Sequence, residues 1–372
     1  MKFSVLSSLT ARSGSSIRNR GICRALTALG HEVHYLEPLA DGEDAGDVSG
    51  FVHVPLRAGS GGPLSWMLPA GLAAAGRLKA LRPDAVMVMK PFPHTALPAL
   101  LQRARSGCRV IMDFDDLDSG YFPAGPVRLA VEAAQLRMLR RADLVSVHNP
   151  ALRSYLEDRG VGPGRISFLG QGIDPDKYLS DGSPAAELPA GWEGSGVTLV
   201  YAAHLGPAAA LGPVFDALSA LPGTFRLLVI GGGAALEAFR RAAAERGLEG
   251  RAHFTGYLPH ARALACMRLG DIAVNCLDGD EPSAKYRSQI KLREYLALGL
   301  PVVSTAGGDV ELFRDFVEIA GDPRGLAGLI SKAAADLPSA KARAERGRVW
   351  VTGNQSWERL VGDWLREVKL DA

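Results

Sequence analysis

The chain has 372 residues, of which 47% are hydrophobic and 22% charged, so at about 150 residues per domain it predicts a globular protein of two domains. Its formal net charge of +2 gives no reason to expect a nucleic-acid-binding protein. The sequence has no secretory signal at its start, no apolar run long enough to span a membrane, and four cysteines without a C-x-x-C pair, so we expect free thiols in a cytoplasmic protein.

The first half of the chain alternates short apolar runs with helical patterns. Strands are predicted at 2–8, 32–36, 51–54, 84–89, 109–114, 144–148 and 166–169, and helices near 15–29, 64–81, 94–105, 126–141 and 150–159. Continuous apolar strands such as AVMVM and RVIMDF are typical of parallel sheets that are covered on both faces. The pattern therefore predicts a doubly wound α/β domain over residues 1–175.

The second half repeats this alternation after a stretch rich in Pro, Gly, Ser and acidic residues, 179–196, near which we place the domain junction. Strands are predicted at 197–203, 225–231, 252–256, 271–277, 301–305 and 316–320, and helices near 213–221, 234–247, 260–269, 288–299, 322–336 and 340–350. A last helix is predicted at 357–368. These elements indicate a second Rossmann-like domain over 176–352, followed by a C-terminal segment, 353–372.

The segment RSQIKLREYLALGLPVVST, residues 287–305, carries the strongest chemical signal. It predicts a helix with Ser288 as its N-cap, which places Arg287 and Lys291 at the positive end of the helix dipole. Cations are unfavourable there unless an anion such as a diphosphate docks among them. Glu294 follows on the same face and could accept hydrogen bonds from a ribose diol. The alternative is a solvated charged helix face.

This segment resembles the donor-binding helix of retaining GT-B glycosyltransferases of family 4, in which a lysine precedes E-Y-[LM]-A-x-G-x-P-V-V. The resemblance extends back over 227–275 and forward through TAGGDVELF, 305–313, and it is weaker over 13–36. It implies two Rossmann-like domains that face each other across a cleft, with the last helix crossing back to the first domain. It also implies transfer of a sugar from a nucleotide diphosphate sugar (a UDP- or GDP-sugar) with retained configuration, without a metal ion or other cofactor.

The resemblance implies that the second domain holds the donor. Glu294 would bind the ribose, Tyr257 and Leu258 would flank the base, and the start of the helix would stabilise the departing diphosphate. The donor-binding residues expected on this basis are His204, Gly206, Tyr257, Leu258, Arg287, Ser288, Ile290, Lys291 and Glu294.

The first domain would position the acceptor. The loop at Gly14 and Ser15, together with Arg18, would approach the donor phosphate or the acceptor. The family often has a histidine after the fourth strand, near the reacting sugar, and His94 stands there. We therefore expect catalytic roles for His94, Lys291 and Glu294. Three acids, Asp113, Asp115 and Asp116, follow the next strand. Asp115 and Asp116 are assigned to acceptor hydroxyls. The alternatives for this cluster are a general base, a cap of the next segment or a metal site.

Two departures from the family keep other functions open. The family's G-R-x-x-x-x-K-G loop reads AAHLGPAAALG here, with His204 in the place of the arginine and no lysine. The residue eight positions before Glu294 is Tyr286 rather than an acid. Lys285, Arg287 and Lys291 could compensate for the missing cations. The alternatives are a non-catalytic GT-B partner protein and a nucleotide-sugar 2-epimerase.

The expected acceptor is a polar hydroxyl compound, a glycan or a lipid-linked glycan of the bacterial envelope. Residues 1–175 carry a small excess of Lys and Arg, and Trp66, Met67 and Leu68 lie in an amphipathic stretch. These features suggest peripheral contact with the inner face of the membrane. The alternative is a core helix, which is the more usual explanation for such an apolar stretch.

Overall fold

The computed structural model describes residues 1–10, 15–39, 42–57, 63–179, 186–192, 196–206, 209–277 and 284–370. The protein folds into two compact units. Unit 1 comprises Met1–Gly172, Tyr286–Ser288 and Gln355–Ala372, and unit 2 comprises Ile173–Lys285 and Gln289–Asn354.

Unit 1 is built on a parallel sheet of seven strands in the order β3-β2-β1-β4-β5-β6-β7. The strands are β1 Lys2–Ser7, β2 Glu32–Leu39, β3 Val52–Arg57, β4 Ala85–Met89, β5 Arg109–Asp113, β6 Leu144–Val147 and β7 Ile166–Phe168. Its helices are α1 Ser15–Ala28, α2 Pro63–Leu81, α3 Pro93–Ser106, α4 Pro126–Leu139 and α5 Pro150–Glu157, with 3-10 turns at Asp118–Tyr121 and Pro163–Arg165.

Unit 2 repeats the doubly wound arrangement with six parallel strands in the order β10-β9-β8-β11-β12-β13. The strands are β8 Val197–Ala202, β9 Phe225–Ile230, β10 Ala252–Phe254, β11 Ile272–Asn275, β12 Val302–Thr305 and β13 Val317–Ala320. The helices are α6 Asp176–Leu179, α7 Gly212–Ala220, α8 Leu236–Ala244, α9 His260–Met267, α10 Ile290–Ala297, α11 Leu326–Ala335 and α12 Leu337–Asn354, with 3-10 turns at Val310–Phe313 and Pro323–Gly325. A further 3-10 turn, Ala284–Tyr286, begins in unit 2 and ends at Tyr286 of unit 1. The predicted fold, two Rossmann-like α/β domains, is confirmed.

The apolar strands are buried on both faces, as their composition predicts. In β4, Val86 and Val88 join one hydrophobic core, and Ala85, Met87 and Met89 join the core on the opposite face of the sheet. Because successive side chains of a strand point to opposite faces, an unbroken apolar run fills both layers of helices. Each valine or methionine of this strand contributes about 1.5–3 kcal/mol when it is fully buried. The cores of unit 1 therefore fix the carboxyl edge of its sheet.

The last helix, α13 Trp357–Glu367, belongs to unit 1 and packs against α1. Its Trp364 side chain donates from Nε1 to the Ser167 hydroxyl at 2.9 Å. The Trp357 ring lies so close to Gly21 that a Cβ atom there would be 2.2 Å from the indole nitrogen. Glycine at position 21 therefore allows α1 to receive the C-terminal helix.

Two local predictions differ from the structure. Helix α10 begins at Ile290 rather than at 288, and its N-cap is Gln289, which has extended backbone and makes no side-chain cap bond. Ser288 is therefore not the N-cap. The residues just before the stretch 179–196 also form a short helix that was not predicted, α6, whose Tyr178 is buried in unit 2. Neither difference changes the order of the strands.

Candidate functional site

In unit 2, the loops that follow β8, β9 and β10 meet at the carboxyl edge of the sheet, where ligands of doubly wound folds bind. Three glycines after β9 allow this approach. A Cβ atom at Gly231 would lie 2.0 Å from the carbonyl oxygen of Ala203, and one at Gly233 would lie 2.4 Å from that of Leu205. A Cβ atom at Gly232 would lie 2.7 Å from the backbone nitrogen of Tyr257. The backbones of these loops are therefore in direct contact.

Lys291 is the second residue of α10, and its half-buried side chain reaches the end of β8. Its Nζ atom lies 4.1 Å from the centre of the Tyr201 ring, within the range of a cation–π interaction. The ammonium group stands at the positive end of the helix dipole, an arrangement that favours an anion beside the first turn of α10. Lys291 therefore lies at the start of α10, and its role in holding a diphosphate stays a prediction.

Glu294 lies one turn further along α10 and is buried, with 4% of its surface exposed. Its Oε1 atom accepts hydrogen bonds from the Tyr178 hydroxyl at 3.1 Å and from His260 Nε2 at 2.7 Å. Burial and the neighbouring carboxylate raise the pKa of Tyr178 well above its ordinary value, so its hydroxyl keeps the proton that it donates. Within the described part of the chain, Oε2 of Glu294 has no hydrogen-bond partner.

Two further side chains of α10 hold this helix against the sheet. The Tyr295 hydroxyl accepts a hydrogen bond from the backbone N–H of Ala202 at 2.6 Å, at the end of β8. The guanidinium of Arg293 pairs with Asp309, in the turn after β12, and both side chains are buried. The Arg293 guanidinium also lies 4.9 Å from the centre of the Phe313 ring. These contacts fix the register at which α10 presents Lys291 and Glu294.

The other predicted donor residues fall into two groups. His204 is exposed beside Gly206, and Tyr257, with 83% of its surface exposed, stands next to the half-buried Leu258. These four residues share the carboxyl edge of unit 2 with Ile290, Lys291 and Glu294. Arg287 and Ser288 instead belong to unit 1, where the Arg287 guanidinium lies 5.9 Å from the centre of the Tyr121 ring. Lys285 is exposed in the turn Ala284–Tyr286.

In unit 1, His94 follows β4 at the start of α3. Its ring centre lies 5.4 Å from that of Trp66 and 6.3 Å from that of Phe92. Burial lowers the pKa of His94 to about 4, and a backbone hydrogen bond to Ser8 offsets this only in part. Its Nε2 atom is buried and makes no hydrogen bond to any described residue. At neutral pH the imidazole is therefore uncharged.

The structure gives Arg18 a different role from the phosphate-side role predicted for it. All five of its N–H donors are satisfied by the protein: two by the Asp113 carboxylate at 2.8 and 2.9 Å, and three by the Leu169 and Gly170 carbonyls and the Gln171 side chain. The residue is only 2% exposed. Arg18 therefore ties α1 to the ends of β5 and β7, and no N–H group remains for a ligand. Asp113 is likewise committed to this buried pair.

The remaining residues of the predicted acceptor side stand at the same edge. Ser15 is half-buried at the first position of α1, and Gly14 lies outside the described residues. Asp116 accepts hydrogen bonds from the Tyr121 hydroxyl and from the backbone N–H of Leu117. Asp116 is half-buried, and its carboxylate already accepts two hydrogen bonds from the protein.

Asp115 is paired with Lys90, a residue that the sequence analysis did not single out. The Lys90 Nζ atom lies 3.0 Å from Asp115 Oδ1 and 2.7 Å from Asp118 Oδ1. All three side chains are largely buried, and Gln135 donates to the second oxygen of Asp118. Burial raises the pKa of Asp118 to about 6 against the lowering effect of Lys90, whereas Lys90 and Arg18 lower the pKa of Asp115. A lysine that directly follows the apolar strand AVMVM was the available signal.

Neither a metal cluster nor a membrane span is found in the described ranges. No group of three or more His, Cys, Asp or Glu side chains there is arranged to hold a metal ion. None of the described helices is both long and apolar enough to cross a bilayer. Of the three acids considered as a metal site, Asp113 pairs with Arg18 and Asp115 with Lys90.

Both units match family models. Residues 13–172 match the glycosyl transferase 4-like domain, and residues 196–336 match the glycosyl transferases group 1 domain. A curated relative, the GDP-mannose-dependent alpha-(1-6)-phosphatidylinositol monomannoside mannosyltransferase of Mycobacterium tuberculosis, is 28% identical over 233 residues. That match covers 57% of this chain and 60% of the relative, so the chain spans less than two thirds of the relative's length.

Solved structures share the fold over the whole chain. Sucrose-phosphate synthase of Thermosynechococcus elongatus superimposes with a TM-score of 0.78 at 20% identity, and 100% of both chains is covered. HepE of Anabaena, solved in complex with UDP-glucose, superimposes with a TM-score of 0.77 at 14% identity and the same coverage. At these identities the likeness concerns the fold.

Proposed function

Because the chain belongs to the family 4-like glycosyltransferases of the GT-B fold, we propose that it transfers a hexose from a nucleotide diphosphate sugar to an acceptor hydroxyl, with retention and without a metal ion. The observation that carries the proposal is the placement of Lys291 and Glu294 one turn apart on α10. One is a cation at the start of a helix and the other a carboxylate one turn deeper, both at the carboxyl edge of the unit 2 sheet. This arrangement fits a diphosphate that is joined to a ribose.

On this proposal, the donor binds along the loops after β8, β9 and β10. The diphosphate lies at the N-terminus of α10, where Lys291 and the positive end of the helix dipole stabilise the negative charge that develops as the sugar leaves. The ribose lies at Glu294, and the exposed ring of Tyr257 stacks on the base with Leu258 beside it. His204 and Gly206 line the phosphate side of the same edge. The N-terminus of α10 and the ammonium group of Lys291 take the place of a metal ion.

Unit 1 supplies the acceptor side on this proposal. The low pKa of His94 keeps its imidazole uncharged at neutral pH, and its buried Nε2 atom can form a hydrogen bond with a hydroxyl of the sugar or of the acceptor. Ser15 and Asp116 stand at the same edge of the sheet. Arg18 and Asp115 act by supporting this edge, because their charges are already paired.

The donor base and the acceptor are proposed as classes. The mycobacterial relative is named for GDP-mannose and a phosphatidylinositol mannoside, and HepE was solved with UDP-glucose. We therefore propose a GDP- or UDP-hexose as donor and a glycan or lipid-linked glycan as acceptor.

Contact with a lipid surface is proposed through α2 rather than through Trp66. The structure places the Trp66 side chain inward, against His94, so this residue is not part of a membrane-facing stripe. Leu68 and Leu72, one turn apart on α2, are 69% and 68% exposed. The helix has no acidic residue and carries Arg77 and Lys79. An exposed apolar pair on a helix whose charged residues are all basic suits an anionic membrane surface.

Calorimetry of the purified protein with GDP, UDP, ADP and TDP tests the proposal, followed by transfer assays with the sugar nucleotide of the base that binds. We expect one base to bind and transfer to continue in EDTA, with an anomer of unchanged configuration in the product. A protein that binds none of the four nucleotides would instead be a non-catalytic GT-B partner. Formation of the 2-epimer of the donor sugar without acceptor would indicate an epimerase.

A further inference from the structure

Two donors from separate segments of unit 2 converge on a single oxygen atom of Glu294. We propose that Tyr178 and His260 are positioning residues for nucleotide recognition: they hold Oε1 of Glu294 so that Oε2 is presented to the ribose hydroxyls. This assignment rests on the proposed function. Oε1 accepts both hydrogen bonds, at 3.1 and 2.7 Å, and Oε2 accepts none from the described residues.

Tyr178 approaches Glu294 from the short helix α6, which packs against α10. The residue is 7% exposed, and its backbone carbonyl accepts a hydrogen bond from Arg268 at 2.9 Å, which fixes α6 in place. Its hydroxyl keeps its proton, since burial and Glu294 both oppose ionisation. Tyr178 is therefore a permanent donor toward the carboxylate rather than a group that exchanges protons with it.

His260 approaches from the other side, as the first residue of α9. It follows Tyr257 and Leu258 by only a few residues, so a single loop carries the proposed base-flanking residues and a hydrogen bond to the proposed ribose carboxylate. The imidazole is 40% exposed, whereas the Glu294 side chain is 6% exposed. His260 thus joins the base end of the nucleotide site to its ribose end.

This arrangement has a physical reason. A buried carboxylate is costly unless hydrogen bonds satisfy it, and a carboxylate that can rotate loses side-chain entropy when it binds a diol. Two donors on Oε1 satisfy one oxygen and prevent that rotation before the ligand arrives. The remaining oxygen then accepts charge-assisted hydrogen bonds from the ribose with little reorganisation.

The test compares a nucleotide with its analogue that lacks the ribose hydroxyls. Calorimetry would measure GDP, UDP and their 2′,3′-dideoxy forms against the wild type, Tyr178→Phe and His260→Ala, with His260→Gln as a variant that keeps an N–H donor. His253→Ala is the matched control, because His253 is an exposed histidine of the same unit that contacts Trp192 rather than Glu294. Thermal unfolding midpoints would establish that each variant is folded.

We expect the wild type to lose about tenfold or more in affinity when the ribose hydroxyls are removed. In Tyr178→Phe and His260→Ala the ratio of the affinity for the nucleotide to that for its dideoxy form should fall to about two- to threefold. His260→Gln and His253→Ala should keep most of the wild-type ratio. If Tyr178→Phe and His260→Ala lost affinity equally for the ribose and dideoxy forms, the effect would be a general structural one. That result would overturn this assignment and leave the proposed function standing. Failure of the wild type to bind any nucleotide would overturn the proposed function and the assignment with it.

Discussion

The ammonium nitrogen of Lys291 lies 4.1 Å from the centre of the Tyr201 ring, which joins the start of α10 to the end of β8 through a cation and an aromatic face. Because this cation is proposed to stabilise the departing diphosphate, Lys291→Met should lower kcat/KM for the donor by about 10²-fold. Methionine keeps the aliphatic stem over Tyr201, so the thermal unfolding midpoint should change little.

Lys332→Met is the control for Lys291→Met. Lys332 belongs to α11 of the same unit, pairs with Glu318 at 3.1 Å and has a side chain that is 67% exposed. Its removal deletes the same charge without touching the site, so kcat/KM should stay at the wild-type level. A Lys291→Met protein with wild-type kcat/KM would show that the ammonium group has no role in transfer.

Substitutions of Glu294 separate binding from stability. Glu294→Ala leaves the buried Tyr178 hydroxyl without its acceptor, at a cost of about 1–3 kcal/mol in the free energy of unfolding. Glu294→Gln keeps an acceptor oxygen and the side-chain volume, so it should be nearly as stable as the wild type. Both should abolish detectable transfer and weaken nucleotide binding at least about tenfold, measured by calorimetry beside urea unfolding. Normal turnover by Glu294→Gln would contradict the ribose assignment.

Much of the fold could be predicted from the sequence because strand and helix periods are local properties. The run AVMVM is apolar at every position, and a strand of this kind can be buried only between two layers of helices, where β4 is found. Lys291 and Glu294 could be placed for the same reason, since three residues of helix bring them onto one face. The N-cap of α10 could not be predicted. Gln289 occupies that position with an extended backbone and no side-chain capping bond, so no residue preference marks it in the sequence.

The partners of the site residues could not be predicted, because they come from distant parts of the chain. Tyr178 and Glu294 are separated by 116 positions, and Arg18 and Asp113 by 95. No local pattern distinguishes an arginine that binds a phosphate from one whose five donors are satisfied inside the protein. The topology of the sheet decides this, because it brings the ends of β5 and β7 to the helix that carries Arg18.

The low pKa of His94 predicts how stability depends on pH. The folded protein binds this proton with a pKa of about 4, whereas an unfolded chain binds it near 6.5. Between these values the unfolded state holds more protons, so the free energy of unfolding should fall as the pH falls from 6.5 to 4, by roughly 3 kcal/mol in total. Above pH 6.5 this contribution is fully present.

Urea unfolding between pH 4 and 7 checks the His94 prediction. His94→Phe keeps an aromatic ring against Trp66 but cannot be protonated, so the pH slope should be shallower in the variant than in the wild type. The same pKa means that protonation of His94 should not lower the wild-type rate above about pH 5. Identical slopes in the two proteins would show that His94 is not the group that titrates.

The exposed leucines of α2 predict vesicle binding. The wild type should sediment with vesicles that contain phosphatidylglycerol and much less with pure phosphatidylcholine, and binding should weaken as salt rises. Leu68→Gln with Leu72→Gln should reduce the affinity at least about tenfold, since each leucine contributes about 1.5–3 kcal/mol on full burial. Val349→Gln in α12, where the side chain is 62% exposed, is the control and should bind as the wild type does. Absence of sedimentation at low salt would remove the membrane proposal.

Lys90 combines a buried charge with an unusual backbone, and two substitutions separate these properties. Its ammonium group neutralises Asp115 and Asp118, so Lys90→Ala should lower the free energy of unfolding by about 3–5 kcal/mol by leaving two buried carboxylates unpaired. Its φ of 60° is left-handed, which favours glycine. Lys90→Gly should therefore be more stable than Lys90→Ala by about 1 kcal/mol, although it loses the same charge. Asp118→Asn should lower the free energy of unfolding less than either substitution of Lys90. The negative charge of Asp115 already disfavours the ionised form of Asp118, so the loss of that charge is less costly. Denaturant unfolding at pH 7 measures all three, and equal stability of the alanine and glycine variants would show that the backbone at position 90 is not strained.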